Sequence, residues 1–169
     1  MLEAATLFIF PALMVFAGLS DLLTMTIPNR VSIAIALLFV AMAFACGLPT
    51  ADILRHLACG ALMLVLTFFM FARGWIGGGD AKLAAATAIW LGFDHIGDYA
   101  VSASVLGSLL TLIIIGLRKW PPPSLGMTSR WAMCLLDPGS GIPYGVALAS
   151  AGLILYPGTA IWLGAAALH

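Results

Sequence analysis

From Tyr99 to Leu117 the chain carries no charged side chain, and a run of that size matches the ~20 residues a helix needs to cross the hydrocarbon core of a bilayer. Such a stretch has few ways to fold. Lipid offers no partner to backbone N–H and C=O groups, so the segment must pair them internally as a helix. Similar apolar runs cover Ala4 to Leu19, Val31 to Leu48, Ile53 to Ala72, Ala81 to Phe93 and Ile142 to Leu168, separated by short polar or Pro/Gly punctuation. With 63% hydrophobic and 8% charged residues, the chain lies far from the composition of a water-soluble domain. The expected fold is all-α: a polytopic membrane protein of about six transmembrane helices in one integral-membrane domain spanning residues 1–169. Pro157, inside the last run, either kinks one long helix or divides it into a span and a shorter piece.

The formal net charge is zero, and no basic block or aromatic platform is present to hold a phosphate backbone, which excludes nucleic acid as a partner. Cys46, Cys59 and Cys134 follow neither a zinc spacing nor a disulfide framework. No His-Glu-x-x-His helix or other clustered ligand set occurs, so neither a metal nor an organic cofactor is expected. Residues Met1 to Phe16 lack a basic n-region and carry Glu3 instead, which reads as a retained first helix and not a signal peptide.

Six crossings place Arg30, Arg73, Lys82, Arg118, Lys119 and Arg130 on one side of the membrane. The other side holds Arg55 as its single Lys or Arg, with both chain ends, His169 included. The positive-inside rule assigns the first side to the cytoplasm, so both termini lie on the non-cytoplasmic side. The same sorting puts Asp21, Asp80 and Asp137 at the cytoplasmic face, and Glu3, Asp52, Asp94 and Asp98 at the other. His56 and His95 fall opposite the first group, His56 beside the turn near Asp52 and Arg55 and His95 in the turn with Asp94 and Asp98.

Asp21 and Asp80 can therefore meet. An ionisable group inside an apolar chain is costly and marks a functional site by default. Asp80 follows the run Gly77-Gly78-Gly79 and precedes a span from Ala81 to Phe93 that gives a helix of only about 20 Å, too short for the core, so Asp80 sits in a dip below the surface. Two neighbouring carboxylates cannot both ionise easily; sharing one proton, they supply a base to activate water and an acid to polarise a carbonyl. The glycines let the enzyme backbone approach an extended peptide. A structural account competes at each position: an Asp at a span end is usually a helix cap, a glycine run a hinge, a lysine a snorkelling cation. Asp137, before Pro138 and Gly139, reads as a turn residue. A serine mechanism lacks both a Gly-x-Ser-x-Gly pattern and a histidine on the right side.

Asp21 followed by Ile27-Pro28-Asn29, then Gly77-Gly78-Gly79-Asp80-Ala81-Lys82, then Ile142-Pro143-Tyr144-Gly145, together resemble the prepilin peptidases. That family has an Asp before an Ile-Pro-Asn turn, a Gly-x-Gly-Asp-x-Lys motif and a late Pro-aromatic-Gly motif, in this order. The resemblance implies a six-helix intramembrane aspartyl protease of the bacterial inner membrane, with Asp21 and Asp80 as the catalytic pair. It implies removal of the short basic leader of type IV pilin precursors at the cytoplasmic face. Gly77, Gly78, Gly79, Lys82, Asn29, Pro143, Tyr144 and Gly145 then stand as substrate-binding or loop-shaping positions, with Lys82 facing away from Asp80 toward an acidic pilin residue or a phospholipid. Longer members add a cytoplasmic domain with a cysteine tetrad and methylate the product; here neither a methyltransferase nor a zinc domain is expected, as in the short peptidases of Flp-type (tight-adherence) systems. The implied partners are the prepilin precursor and membrane lipid, with homodimerisation left open. The rival readings are a small proton-coupled transporter and a non-catalytic subunit of a secretion assembly.

Overall fold

The computed structural model describes residues 2–119 and 130–166. Its order is α1 (Leu2–Thr24), α2 (Asn29–Ala45), α3 (Thr50–Ala72), α4 (Gly78–Lys119), α5 (Arg130–Leu136), α6 (Tyr144–Leu155), a 3-10 turn (Tyr156–Gly158) and α7 (Ala160–Ala166). No strand occurs among the described residues, and the all-helical expectation holds. By length and composition four helical stretches can cross a membrane: Leu7–Thr24, Thr50–Ala72, Gly78–Lys119 and Tyr144–Gly164; α2 is apolar but shorter.

Local chemistry sets the helix boundaries. Pro28, Pro49 and Pro143 stand immediately before α2, α3 and α6, where a residue without an N–H and with a fixed φ costs a helix nothing. At its far end α3 closes on Gly74, whose φ of 73° is left-handed. There the Trp75 N–H reaches the Met70 carbonyl at 3.0 Å and the Gly74 N–H reaches Phe71 at 2.8 Å, the paired closure that a glycine after a helix permits.

The 42 residues of α4 would span about 63 Å if straight, twice a bilayer core. They do not run straight. Gly92 has φ 68° and ψ −177°, a conformation that is essentially glycine's alone. Beyond it the chain folds back, so that Ala84, Leu91 and Tyr99 share one core, although a straight helix would hold Ala84 and Tyr99 about 22 Å apart. Two antiparallel arms result, in place of the separate segments Ala81–Phe93 and Tyr99–Leu117. The reversal sits at Gly92, and Asp94, His95 and Asp98 are helical, a correction to their reading as the turn itself.

The first arm is the middle of the bundle. Ala81, Leu83, Ala84, Ala85, Ala86, Ala88, Trp90 and Leu91 are all buried, as befits a helix apolar on every side, and α2, α3 and α6 pack around α4. Trp90 anchors its far end: the ring packs among Phe10, Phe39 and Tyr156, and its Nε1–H donates to the Ile35 carbonyl at 2.8 Å. The outer surface presents Phe8, Leu37, Leu54, Phe68 and Leu112, each more than half exposed, a rim suited to lipid and not to water. Pro157 divides the last run, as one alternative anticipated: α6 ends at the 3-10 turn and the short α7 follows. Asp137 accepts the Gly139 N–H at 3.1 Å, the turn role foreseen for it. The first residue, residues 120–129 and the end of the last run, including Leu168 and His169, lie outside the described residues.

Candidate active site

Asp21 occupies the last turn of α1, and Asp80 the first turn of α4. Both border one cavity of about 300 Å³, completed by Met25, Thr26, Ile27 and the three glycines 77–79. Asp21 is buried, with 6% of its surface exposed, and Asp80 is half-buried. The glycine trio divides its work: Gly77 precedes α4, whereas Gly78 and Gly79 form the helix's first residues, so α4 starts earlier than the span expected from Ala81. Asp80 thus lies in the first turn, at the positive end of its own helix, a favourable place for an acid.

Hydrogen bonding from outside α1 fixes Asp21. Its Oδ2 accepts the Gly145 backbone N–H at 2.7 Å. Gly145 lies in the first turn of α6, where N–H groups have no partner within the helix. A Cβ added there would stand 2.7 Å from that carboxylate oxygen and 2.7 Å from Ile27 Cδ1, so the close approach requires glycine. Gly77 stands in the same relation to Asp80, with a Cβ there falling 2.9 Å from Oδ2. Each carboxylate therefore has a glycine backbone pressed against it.

The floor between α1 and α2 is tied by hydroxyls. Ser20 Oγ donates to the Thr26 carbonyl at 2.9 Å, Thr24 Oγ1 donates to the Ser20 carbonyl at 2.7 Å, and Thr24 and Thr26 share a 2.8 Å hydroxyl contact. They hold Met25 at φ 53°, an uncommon conformation for a non-glycine residue. The sequence analysis did not single out this fastening, which the Ser/Thr cluster at positions 20, 24 and 26 signals in retrospect.

The remaining candidate positions stand back from the cavity. Lys82 Nζ donates to Asn29 Oδ1 at 2.8 Å, tying the first arm of α4 to the start of α2 on a face turned from Asp80. Pro143 ends the turn before α6, and the Tyr144 hydroxyl meets Thr111 Oγ1 at 3.1 Å. His56 and His95 belong to the opposite end: His56 Nδ1 donates to the Ile89 carbonyl at 2.7 Å, and His95 Nε2 to that of Gly158 at 3.0 Å. From Asp80 to the reversal at Gly92 is about 18 Å along the arm, so neither ring serves the carboxylates. No group of three His, Cys, Asp or Glu side chains among the described residues is placed to hold a metal ion.

Two acids beside one cavity, one buried and one half-buried, each with a glycine backbone against it, can divide the roles of base and acid toward a water and a peptide carbonyl. Compared with known proteins, residues 8–117 match the model of the type IV leader peptidase family. No curated protein and no solved structure matches. The matched region contains both aspartates and stops before Gly145.

Proposed function

The chain belongs to the type IV leader peptidase family, and from that premise we propose that it is an intramembrane aspartyl endopeptidase using Asp21 and Asp80. The observation that carries the reading is their shared cavity, formed by residues 21–27 and 77–80 from separate parts of the matched region. One carboxylate takes a proton from water as the oxygen attacks the scissile carbonyl, while the other, protonated, donates to the carbonyl oxygen; as the resulting diol collapses, the first gives its proton to the leaving amine and the second takes one back from a diol hydroxyl. The pair titrates as a unit. Gly77, bare of a side chain beside the Asp80 carboxylate, lets an extended peptide strand approach that oxygen.

The substrate we propose is a type IV prepilin of the Flp class. Its basic leader stays in the cytoplasm while its apolar segment enters the bilayer, which brings the bond to the aspartates at the cytoplasmic face of the bacterial inner membrane. This reading takes α1, α2, α3, the two arms of α4 and the α6–α7 unit as the six crossings. Hydrolysis without N-methylation is the proposed activity: processed pilin incubated with the protein and a methyl donor gains no methyl group.

Co-expression with an Flp-type prepilin in a peptidase-deficient bacterium tests the proposal through the precursor's gel shift. Wild type should cleave, and Asp21→Asn and Asp80→Asn should each abolish cleavage at equal membrane abundance. Cleavage surviving in either variant removes that residue from the mechanism. An uncut precursor with wild type turns the reading toward the proton-coupled or assembly roles.

A further inference from the structure

Asp80 borders a second space besides the catalytic cavity. A groove of about 340 Å³ runs between α3, the second arm of α4 and α6, with Asp80 and Ala84 in its floor and Met70, Ala103, Ser104 and Leu148 along its sides. Met70 and Ser104 are exposed, so the groove opens on the outer, lipid-facing surface. Two features mark it. A carboxylate stands in its apolar wall, a costly placement in lipid. Small residues, Ala84, Ala100, Ala103 and Ser104, leave room for another helix to approach.

We infer that this groove receives the apolar helix following the cut in the precursor, the first turn of that helix lying against Asp80. The assignment rests on the peptidase reading and adds where its substrate docks. The start of a helix offers unpaired N–H groups and the positive end of its dipole, which would add to what the first turn of α4 already gives the Asp80 carboxylate. Because Asp80 borders both spaces, a chain could pass from the groove into the catalytic cavity with its scissile bond at the carboxylate. A larger groove of about 510 Å³, over Asn29, Ser32, Ala61 and Lys82, borders neither aspartate, and it provides the comparison.

The test uses full-length protein in inner-membrane vesicles. A benzoylphenylalanine in place of Ser104, in the Asp21→Asn background, should crosslink the precursor through its apolar helix, whereas one in place of Ala61 should not. In otherwise wild-type protein, Ala103→Trp should lower cleavage of the whole precursor, relative to a short peptide spanning the cut but lacking the helix, by about tenfold or more. Crosslinking from position 61 and not 104, or an unchanged ratio for Ala103→Trp while wild type cleaves, overturns the groove assignment and leaves the peptidase reading standing. Wild-type protein that leaves the precursor uncut overturns both.

Discussion

Among the described residues the Gly145 N–H donates the one hydrogen bond that reaches the Asp21 carboxylate from another helix, and it makes a single methyl group an informative probe. In Gly145→Ala the new Cβ would meet Oδ2 at 2.7 Å and the Asp21 Cβ at 2.9 Å, so the carboxylate must move. A displacement near 1 Å at a catalytic group costs on the order of 100-fold in rate, and that loss of precursor cleavage is expected at unchanged membrane abundance. Gly18→Ala probes the same α1–α6 contact away from the carboxylate, where the new Cβ would meet Ala149 Cβ at 3.3 Å. It should retain most activity, and equal losses in both variants would show that helix packing, not carboxylate placement, is being measured. Asp21, Asp80 and the glycine trio were legible in the sequence because an acid or a glycine run stands out against apolar residues. The role of Gly145 was not, since a backbone N–H has no side-chain signature and its partner is 124 positions away. Lys82 and Asn29 were each legible as polar positions, but their bond to one another required the packing of α4 on α2.

Gly92 decides whether α4 is one helix or two at the level of the element. Gly92→Ala should destabilise the protein by about 1–3 kcal/mol from backbone strain alone, before counting a Cβ placed 2.8 Å from His56 Cε1. The measurement is thermal unfolding in detergent, with Gly97→Ala as its partner: that glycine lies in the same helix, and its Cβ would meet nothing within 4 Å. Removing a helical glycine there should gain up to about 1 kcal/mol. A fall in Tm for Gly92→Ala with none for Gly97→Ala supports the hairpin; equal behaviour contradicts it. The sequence placed a break in this region because Asp94, His95 and Asp98 interrupt the apolar pattern. Those residues mark where the arms leave the apolar layer, while the reversal depends on a φ that only the backbone reveals. The start of α4 escaped for a related reason, because Gly78 and Gly79 have poor helix propensity yet sit in its first turn, where α4 packs against Ile27 and Phe71.

Across the whole molecule the polar groups sort to two ends of an apolar bundle, as the charge count anticipated. Asp21, Asp80 and Gly145 gather at one end, and Asp52, Arg55, His56 and Asp94 border a space at the other. The proposed chemistry uses protons and water alone, so EDTA should leave cleavage unchanged, and a large loss would require a metal in the mechanism. Orientation in the membrane has a native reporter. Cys134 is exposed and lies at the aspartate end: Arg118, at the close of α4, donates from Nε to the Leu135 carbonyl at 3.0 Å and from Nη2 to those of Ser140 and Gly141 at 3.1 and 2.9 Å. That clamp joins α5 to the turn leading into α6, whose first turn holds Asp21. In protein carrying Cys46→Ser and Cys59→Ala, a membrane-impermeant maleimide should label Cys134 in inverted inner-membrane vesicles and leave it unlabelled in intact spheroplasts. Labelling from outside would put both aspartates at the outer face, where a basic leader retained in the cytoplasm cannot reach them, and the proposed reaction would fail on geometry whatever the carboxylates can do.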